Sequence, residues 1–163
     1  MPTSAPQAAG WFFKSEASVY SVADLKRERR CRWDGVRNYQ ARNFLRQAHV
    51  GDPVAIWHSN AKQPGVAGLG KVLKAAYPDP TAFDKKHSAY DEKSDPDNPR
   101  WFSVDVGFVK ELPQVIPAKQ LREDPALADL LFFRQSRLSV CPAGPAAWAR
   151  LTVLCDQAQG LKP

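Results

Sequence analysis

Apolar, strand-like runs in this chain are separated by short helices and by bends marked with glycine or proline, never in sustained alternation with long helices. That order removes a doubly wound parallel sheet and leaves a small, partly closed mixed β-barrel with short helices on its flanks, an α+β architecture. The first run is Trp11-Phe12-Phe13. Ser21 and Asp24 have capping-box spacing for a helix through about Arg29, and Asn38 is placed to cap a second, with Ala41, Phe44, Leu45 and Ala48 at helical intervals. Gly51 and Asp52 mark a turn before a buried strand from Val54 to Trp57, which ends at His58, Ser59 and Asn60. Val66 to Tyr77 reads as a strand bent at its glycines, and Trp101 to Lys110 as the longest central strand. Between them, Pro78 to Pro99 is polar and proline-bearing, an exposed excursion with at most a turn of helix near Thr81 to Phe83. Prolines 117 and 125 each open a helix-compatible stretch, Arg137 to Val140 is extended, and a last helix after Pro145 carries Trp148, Leu151 and Leu154 on one side.

The length, 163 residues, fits one domain able to bury a core without metal or disulfide support. Residues 1–10 read as a disordered leader, 11–155 as the domain and 156–163 as a tail. No apolar run approaches the roughly 20 residues of a membrane helix, and the start lacks the pattern of a secretory signal. Cys31, Cys141 and Cys155 are odd in number and widely spaced, with no histidine positioned to complete a zinc site. They read as buried or incidental thiols, and a reducing, cytoplasmic location without membrane contact or metal is expected. A net charge of +6 suits a polyanionic partner. Its distribution is more informative, because Lys26, Arg27, Arg29, Arg30, Arg32, Arg37, Arg42 and Arg46 are opposed within that stretch by Glu28 and Asp34 alone.

Catalytic motifs are few. The chain has no G-x-S-x-G, no H-E-x-x-H and no phosphate-cradling P-loop, so no enzyme chemistry and no cofactor is expected. A nuclease or base-modifying enzyme would have to draw on Glu16, Asp34 and His58. His58 either rings a cavity mouth with Ser59 and Asn60 or is a core histidine satisfied by a hydrogen bond. The densest signal is Trp33-Asp34-Gly35-Val36-Arg37-Asn38-Tyr39-Gln40-Ala41-Arg42-Asn43. An indole beside a carboxylate, a glycine permitting close approach, and amide and guanidinium donors at a helix start are what stacking and hydrogen-bonding a planar base requires. The same residues also suit a structural corner, with Trp33 in the core, Asn38 as a cap and Arg37 in an ion pair.

On that block, together with Phe13-Lys14-Ser15-Glu16, His58-Ser59-Asn60, Pro64-Gly65, Tyr77-Pro78-Asp79-Pro80-Thr81, Asn98-Pro99-Arg100-Trp101 and Arg137-Leu138-Ser139-Val140, the chain resembles the EVE family of PUA-like domains, relatives of the YTH readers of methylated adenine. Ala17 stands where the family usually has proline, and Trp57 where tyrosine or phenylalanine is common. The resemblance implies a pocket in which Lys14, Ser15 and Glu16 flank a base edge and Trp33 forms an aromatic wall beside Asp34. Asn38 and Tyr39 would line its floor or side, His58, Ser59 and Asn60 its mouth, and Ser139 a further edge. It implies a non-catalytic reader of DNA or RNA carrying a modified cytosine or adenine, with Arg29, Arg30, Arg37 and Arg42 as phosphate contacts. A small-molecule or nucleotide sensor using the same pocket is the alternative.

Overall fold

The structure, a computed structural model, describes residues 8–159. Of the expected disordered leader, residues 1–10, and tail, residues 156–163, positions 1–7 and 160–163 lie outside the described residues, whereas the first strand already begins at Gly10 and the last helix runs on to Ala158. Within the described residues lie six strands, β1 (Gly10–Glu16), β2 (Arg30–Trp33), β3 (Pro53–Ser59), β4 (Gly65–Pro78), β5 (Phe102–Pro117) and β6 (Val140–Ala143). The four helices are α1 (Val22–Glu28), α2 (Tyr39–Leu45), α3 (Ala118–Glu123) and α4 (Pro145–Ala158), and two 3-10 turns cover Pro80–Phe83 and Leu131–Phe133.

The strands form one mixed sheet in the order β2-β5-β4-β3-β1-β6. β1 runs parallel to β3, and every other neighbour pair is antiparallel. β2 and β6 are the two edges, and no ladder joins them among the described residues, so the sheet is not closed into the expected barrel. Several register shifts between β4 and β5 bend this long pair instead. The bend brings β2 back over β1: the Phe13 ring lies 5.4 Å from the Trp33 indole although their strands are not paired.

The core explains the order. Val54, Ala55, Ile56 and Trp57 of β3 are buried on both faces, as an interior strand requires. Phe12 packs edge-on against Trp57, Phe132 and Trp148, which ties β1 to the 3-10 turn and α4. The capping box at α1 forms, with the Asp24 N–H donating to Ser21 Oγ at 3.2 Å and the Ser21 N–H to Asp24 Oδ2 at 2.9 Å. Gly68 is where α1 rests on the sheet, since a Cβ there would collide with Val22 and the Lys110 carbonyl.

Three elements differ from the sequence expectations. α1 stops because Arg29 turns to φ 70°, and the chain then enters β2, which at four residues is too short to show alternation. The Trp101 strand continues seven residues past its expected end, to Pro117. The stretch after Pro125 forms turns rather than a helix, with Leu127 and Leu130 buried in the core.

Candidate functional site

The gap between β2 and β1 is a half-open cavity of about 590 Å³. One wall is β2 with the loop that follows it, Cys31 to Asn38; the other is Lys14 and Ser15 of β1 with Arg137 and Ser139 ahead of β6. The second wall is stitched by the Lys14 N–H, which donates to the Ser139 carbonyl at 2.8 Å. Trp33 is the aromatic component of the first, fixed by Phe13 and by Tyr20, whose ring lies edge-on 6.5 Å away.

The loop after Trp33 takes its shape from one buried carboxylate. Asp79 Oδ2 accepts the Gly35 N–H and an Arg37 Nη1 hydrogen, each at 2.9 Å, while Oδ1 accepts the N–H and hydroxyl of Thr81 at 2.8 and 2.7 Å. Burial alone would raise this carboxyl, but the Thr81, Gly35 and Arg37 donors together hold it below the usual carboxylate range. Gly35 sits at φ 77°, a left-handed geometry that favours glycine. Arg37 completes the clamp by donating through Nε and Nη2 to the Ala89 carbonyl, at 3.0 and 2.7 Å, and through Nη1 to the Val36 carbonyl at 2.9 Å. Nη2 also reaches Thr81 Oγ1 at 3.1 Å, so all five guanidinium N–H groups are engaged.

Polar atoms therefore divide into committed and available. Asn38 caps α2 by accepting the Ala41 N–H at Oδ1, 2.9 Å, and its Nδ2 donors have no partner among the described residues. Ser15 Oγ donates to the Tyr20 carbonyl at 2.7 Å and keeps its lone pairs for a donor. Asp34 is bridged by Arg32 Nε at 2.9 Å. Burial pushes the Cys31 thiol up to about 11, so it stays protonated at neutral pH, and burial with the Glu28 contact also raises the Tyr20 phenol. Arg137 is exposed at the mouth with no ion pair among the described residues.

Of the residues singled out from the sequence, Lys14, Ser15, Trp33, Asp34, Asn38, Ser139 and Arg37 are brought together around this cavity. Glu16, Tyr39, His58, Ser59 and Asn60 are not part of its lining. His58 Nε2 accepts the Val22 N–H at 3.1 Å, which makes it a buried anchor for α1, and burial lowers its basicity. Ser59 pairs with Glu16 where β1 meets β3, Asn60 turns at φ 49° after β3, and Tyr39 stacks on Trp101 at 4.8 Å. Arg30 is bound to Asp105 at 2.7 Å, Arg29 lies over Phe108, and Arg42 donates to the Arg100 carbonyl at 3.1 Å. Tyr20, Cys31, Arg32 and Arg137 line the cavity without having been singled out for it, and Asp79 organises it from behind. Of Glu16, Asp34 and His58, Asp34 alone reaches the cavity. Among the described residues no cluster of three or more His, Cys, Asp or Glu is placed to hold a metal ion, and no helix is long and apolar enough to cross a membrane.

The family model described as EVE domain matches residues 9–154. The chain belongs to the EVE domain family. Thymocyte nuclear protein 1 from Homo sapiens is 41% identical over 152 residues, covering 81% of this chain and 67% of the human protein. Among solved structures, a protein from Pseudomonas syringae superposes with a TM-score of 0.87 at 42% identity, covering 90% of this chain and 99% of its own. The human THYN1 protein in complex with 5-methylcytosine containing DNA superposes with a TM-score of 0.84 at 38% identity, covering 90% and 97%. This EVE domain therefore shares its fold over nearly its whole length with a relative whose structure holds methylated DNA.

Proposed function

We propose that this EVE domain is a non-catalytic reader of modified nucleic acid, which takes one modified base out of its stack and holds it in the cavity beside Trp33. The observation that carries the reading is the cavity itself. Its volume of about 590 Å³ lies within the usual range for ligand sites, and it joins an indole wall to Asn38, whose Nδ2 has no partner among the described residues. The human relative seen with 5-methylcytosine containing DNA makes that base the first to test.

The chemistry follows from the available atoms. A cytosine edge offers two acceptors and one amine. The Asn38 Nδ2 donors suit the acceptors, and the Ser15 Oγ lone pairs or the Asp34 carboxylate suit the amine. Extruding a base costs a few kcal/mol, and stacking on an aromatic ring returns about 1–3 kcal/mol, with edge hydrogen bonds and phosphate contacts making up the rest. Arg137, at the mouth and without an ion pair among the described residues, suits the phosphate of the held nucleotide. Burying one methyl group is worth about 0.8 kcal/mol, so preference for a methylated base should be roughly four-fold, not absolute. Catalysis has no support in the geometry, because the three candidate acid and base groups do not converge.

The test is tryptophan-fluorescence titration with matched DNA and RNA strands carrying cytosine, 5-methylcytosine, adenine or N6-methyladenine, at two salt concentrations. One modified strand should bind several-fold better at both salts, and Trp33→Leu should abolish that preference while keeping the salt-dependent component. Equal binding of all strands that vanishes at the higher salt would sink the reading. A free nucleoside bound as tightly as a strand would make the domain a small-molecule sensor, and strand cleavage or base conversion would make it an enzyme.

A further inference from the structure

Beside the cavity, the exposed face of α2 is built in an unusual way. Tyr39, Arg42 and Arg46 lie at i, i+3 and i+7, one side of the helix, while Ala41 and Leu45 face the core. Tyr39 is 52% exposed and stacks on Trp101 at an interplanar angle of 25°. The Arg42 guanidinium lies 4.8 Å from the Tyr39 centroid, and that of Arg37 lies 5.4 Å from the Trp101 centroid. Arg37 and Asn38 line the cavity, so the column Arg37–Trp101–Tyr39–Arg42 leads outward from its wall. One helical turn further, Arg46 lies 4.5 Å over the Phe102 ring. The Trp101 Nε1–H donates to Asp91 Oδ2 at 2.7 Å and Arg42 to the Arg100 carbonyl, so the base of the column is fixed.

The charge on this face is compensated only in part, by Asp79 at Arg37 and by Asp91 beside Trp101 and Arg100. No acidic residue occurs between Asp34 and Asp52, and neither Arg42, Arg46 nor Arg100 forms an ion pair among the described residues. Arg42 spends Nε and Nη2 on Asn43 Oδ1, at 3.1 and 2.8 Å, and Nη1 on the Arg100 carbonyl, which leaves two of its five N–H groups for anionic oxygen, while Arg46 makes no side-chain hydrogen bond among the described residues. A protein partner of acidic character would meet the same charge, but the continuity of the column with the base cavity favours a partner whose anionic backbone continues from the held base.

We propose that α2 is a phosphodiester-binding ridge: Arg42 and Arg46 contact successive phosphates of the strand on one side of the extruded nucleotide, and its sugar packs over the exposed half of Tyr39. This rests on the reader function proposed above and adds a path and a direction to it. The contacts are to backbone, so they confer affinity and polarity, and the cavity confers base preference.

The test uses the full chain and DNA strands with a single 5-methylcytosine at the 5′ end, the 3′ end or the centre. Arg42→Gln/Arg46→Gln should weaken binding on the order of ten-fold and lower the salt slope by about 1.4, at roughly 0.7 per single-strand phosphate. The loss should occur with the central strand and with one end-labelled strand but not the other, and the methyl preference should persist. Arg46→Gln alone, which breaks no hydrogen bond of the fold, should give about half the slope change. An unchanged slope, or equal losses for both end-labelled strands, overturns the ridge while leaving the cavity reading intact. Absence of methyl preference in the wild type defeats the cavity reading, and the ridge with it; binding of acidic peptides at the same affinity as DNA would reassign the face to a protein partner.

Discussion

Asn38 divides its amide between fold and ligand. Its oxygen caps the start of α2, while its two nitrogen-bound hydrogens have no partner among the described residues and the residue lines the cavity. The two roles can be separated by substitution. Asp is as good an N-cap as Asn, so Asn38→Asp keeps the bond to the Ala41 N–H, but it removes both donors and puts negative charge where a base would bring acceptors. The melting temperature should stay within about 2 °C of wild type, since the cap is equivalent. Affinity for a methylated strand should fall at least ten-fold, read by fluorescence titration, and unchanged affinity would remove Asn38 from the site. At this scale the sequence was legible where side-chain chemistry is local. The spacing of Asn38 to Ala41 announced a cap, whereas Trp33 before Asp34-Gly35 read as either a pocket wall or a core residue, and in the fold it lines the cavity while packing in the core. Arg37 stayed open between an ion pair and a phosphate contact, because its partners Asp79, Thr81 and Ala89 are 42 to 52 residues away, and nothing near it tells a fully engaged guanidinium from one facing solvent. His58 was open for the same reason: its partner, the Val22 N–H, lies 36 residues upstream.

The loop from Asp34 to Asn38 has no regular structure, and one carboxylate gives it shape. Asp79 satisfies four donors from three residues, so Asp79→Asn would set an amide N–H₂ against groups that are themselves donors. Losing this buried charged network should cost about 3 kcal/mol, or roughly 10 °C in melting temperature for a chain of this size. Methyl preference should drop with it, since Trp33 and Asn38 flank the loop. The pH dependence fixes the sign. Asp79 titrates below the roughly 3.9 of an unfolded aspartate, so its contribution is complete above about pH 4 and disappears as pH falls through the lower folded value. The stability gap between wild type and Asp79→Asn, measured by urea unfolding, should therefore be constant from pH 7 to about pH 4 and close at lower pH. A gap that does not depend on pH would mean that the lost side chain acts by shape alone. Most elements were readable because their periodicity or caps are written in consecutive residues. β2 was not, since four residues cannot display alternation and its strand character comes from pairing with Val104 to Gly107 of β5. The Tyr77-Pro78-Asp79-Pro80-Thr81 block could be recognised as a family feature, yet the role of its aspartate depends on the loop it supports.

For the whole molecule, the open sheet is the consequential fact. A closed barrel would satisfy β2 and β6 with each other; here β2 stays an edge, and the space between it and β1 is the cavity. The walls come from distant parts of the chain, Lys14 and Ser15, Cys31 to Asn38, and Arg137 with Ser139, so a ligand in the gap bridges segments that the backbone does not pair directly. Sequence could anticipate the mixed class but not this opening, because closure depends on how far the shifted β4–β5 pair curls, a sum of small register changes at several positions. Binding should therefore stabilise the molecule globally and at both edges together. At a hundred-fold excess over its dissociation constant, a ligand specific to the folded state adds about 2.7 kcal/mol, or roughly 5–10 °C in melting temperature. Amide hydrogen exchange should slow in Arg30–Asn38 and in residues 136–139 in parallel with that shift, and less for an unmodified strand at equal concentration. Attraction through surface charge alone would raise the melting temperature without coordinated protection of the two walls, because a polyanion on the outside touches neither. Coordinated protection that follows the modified base thus separates a base held between the edges of the sheet from a strand lying across it.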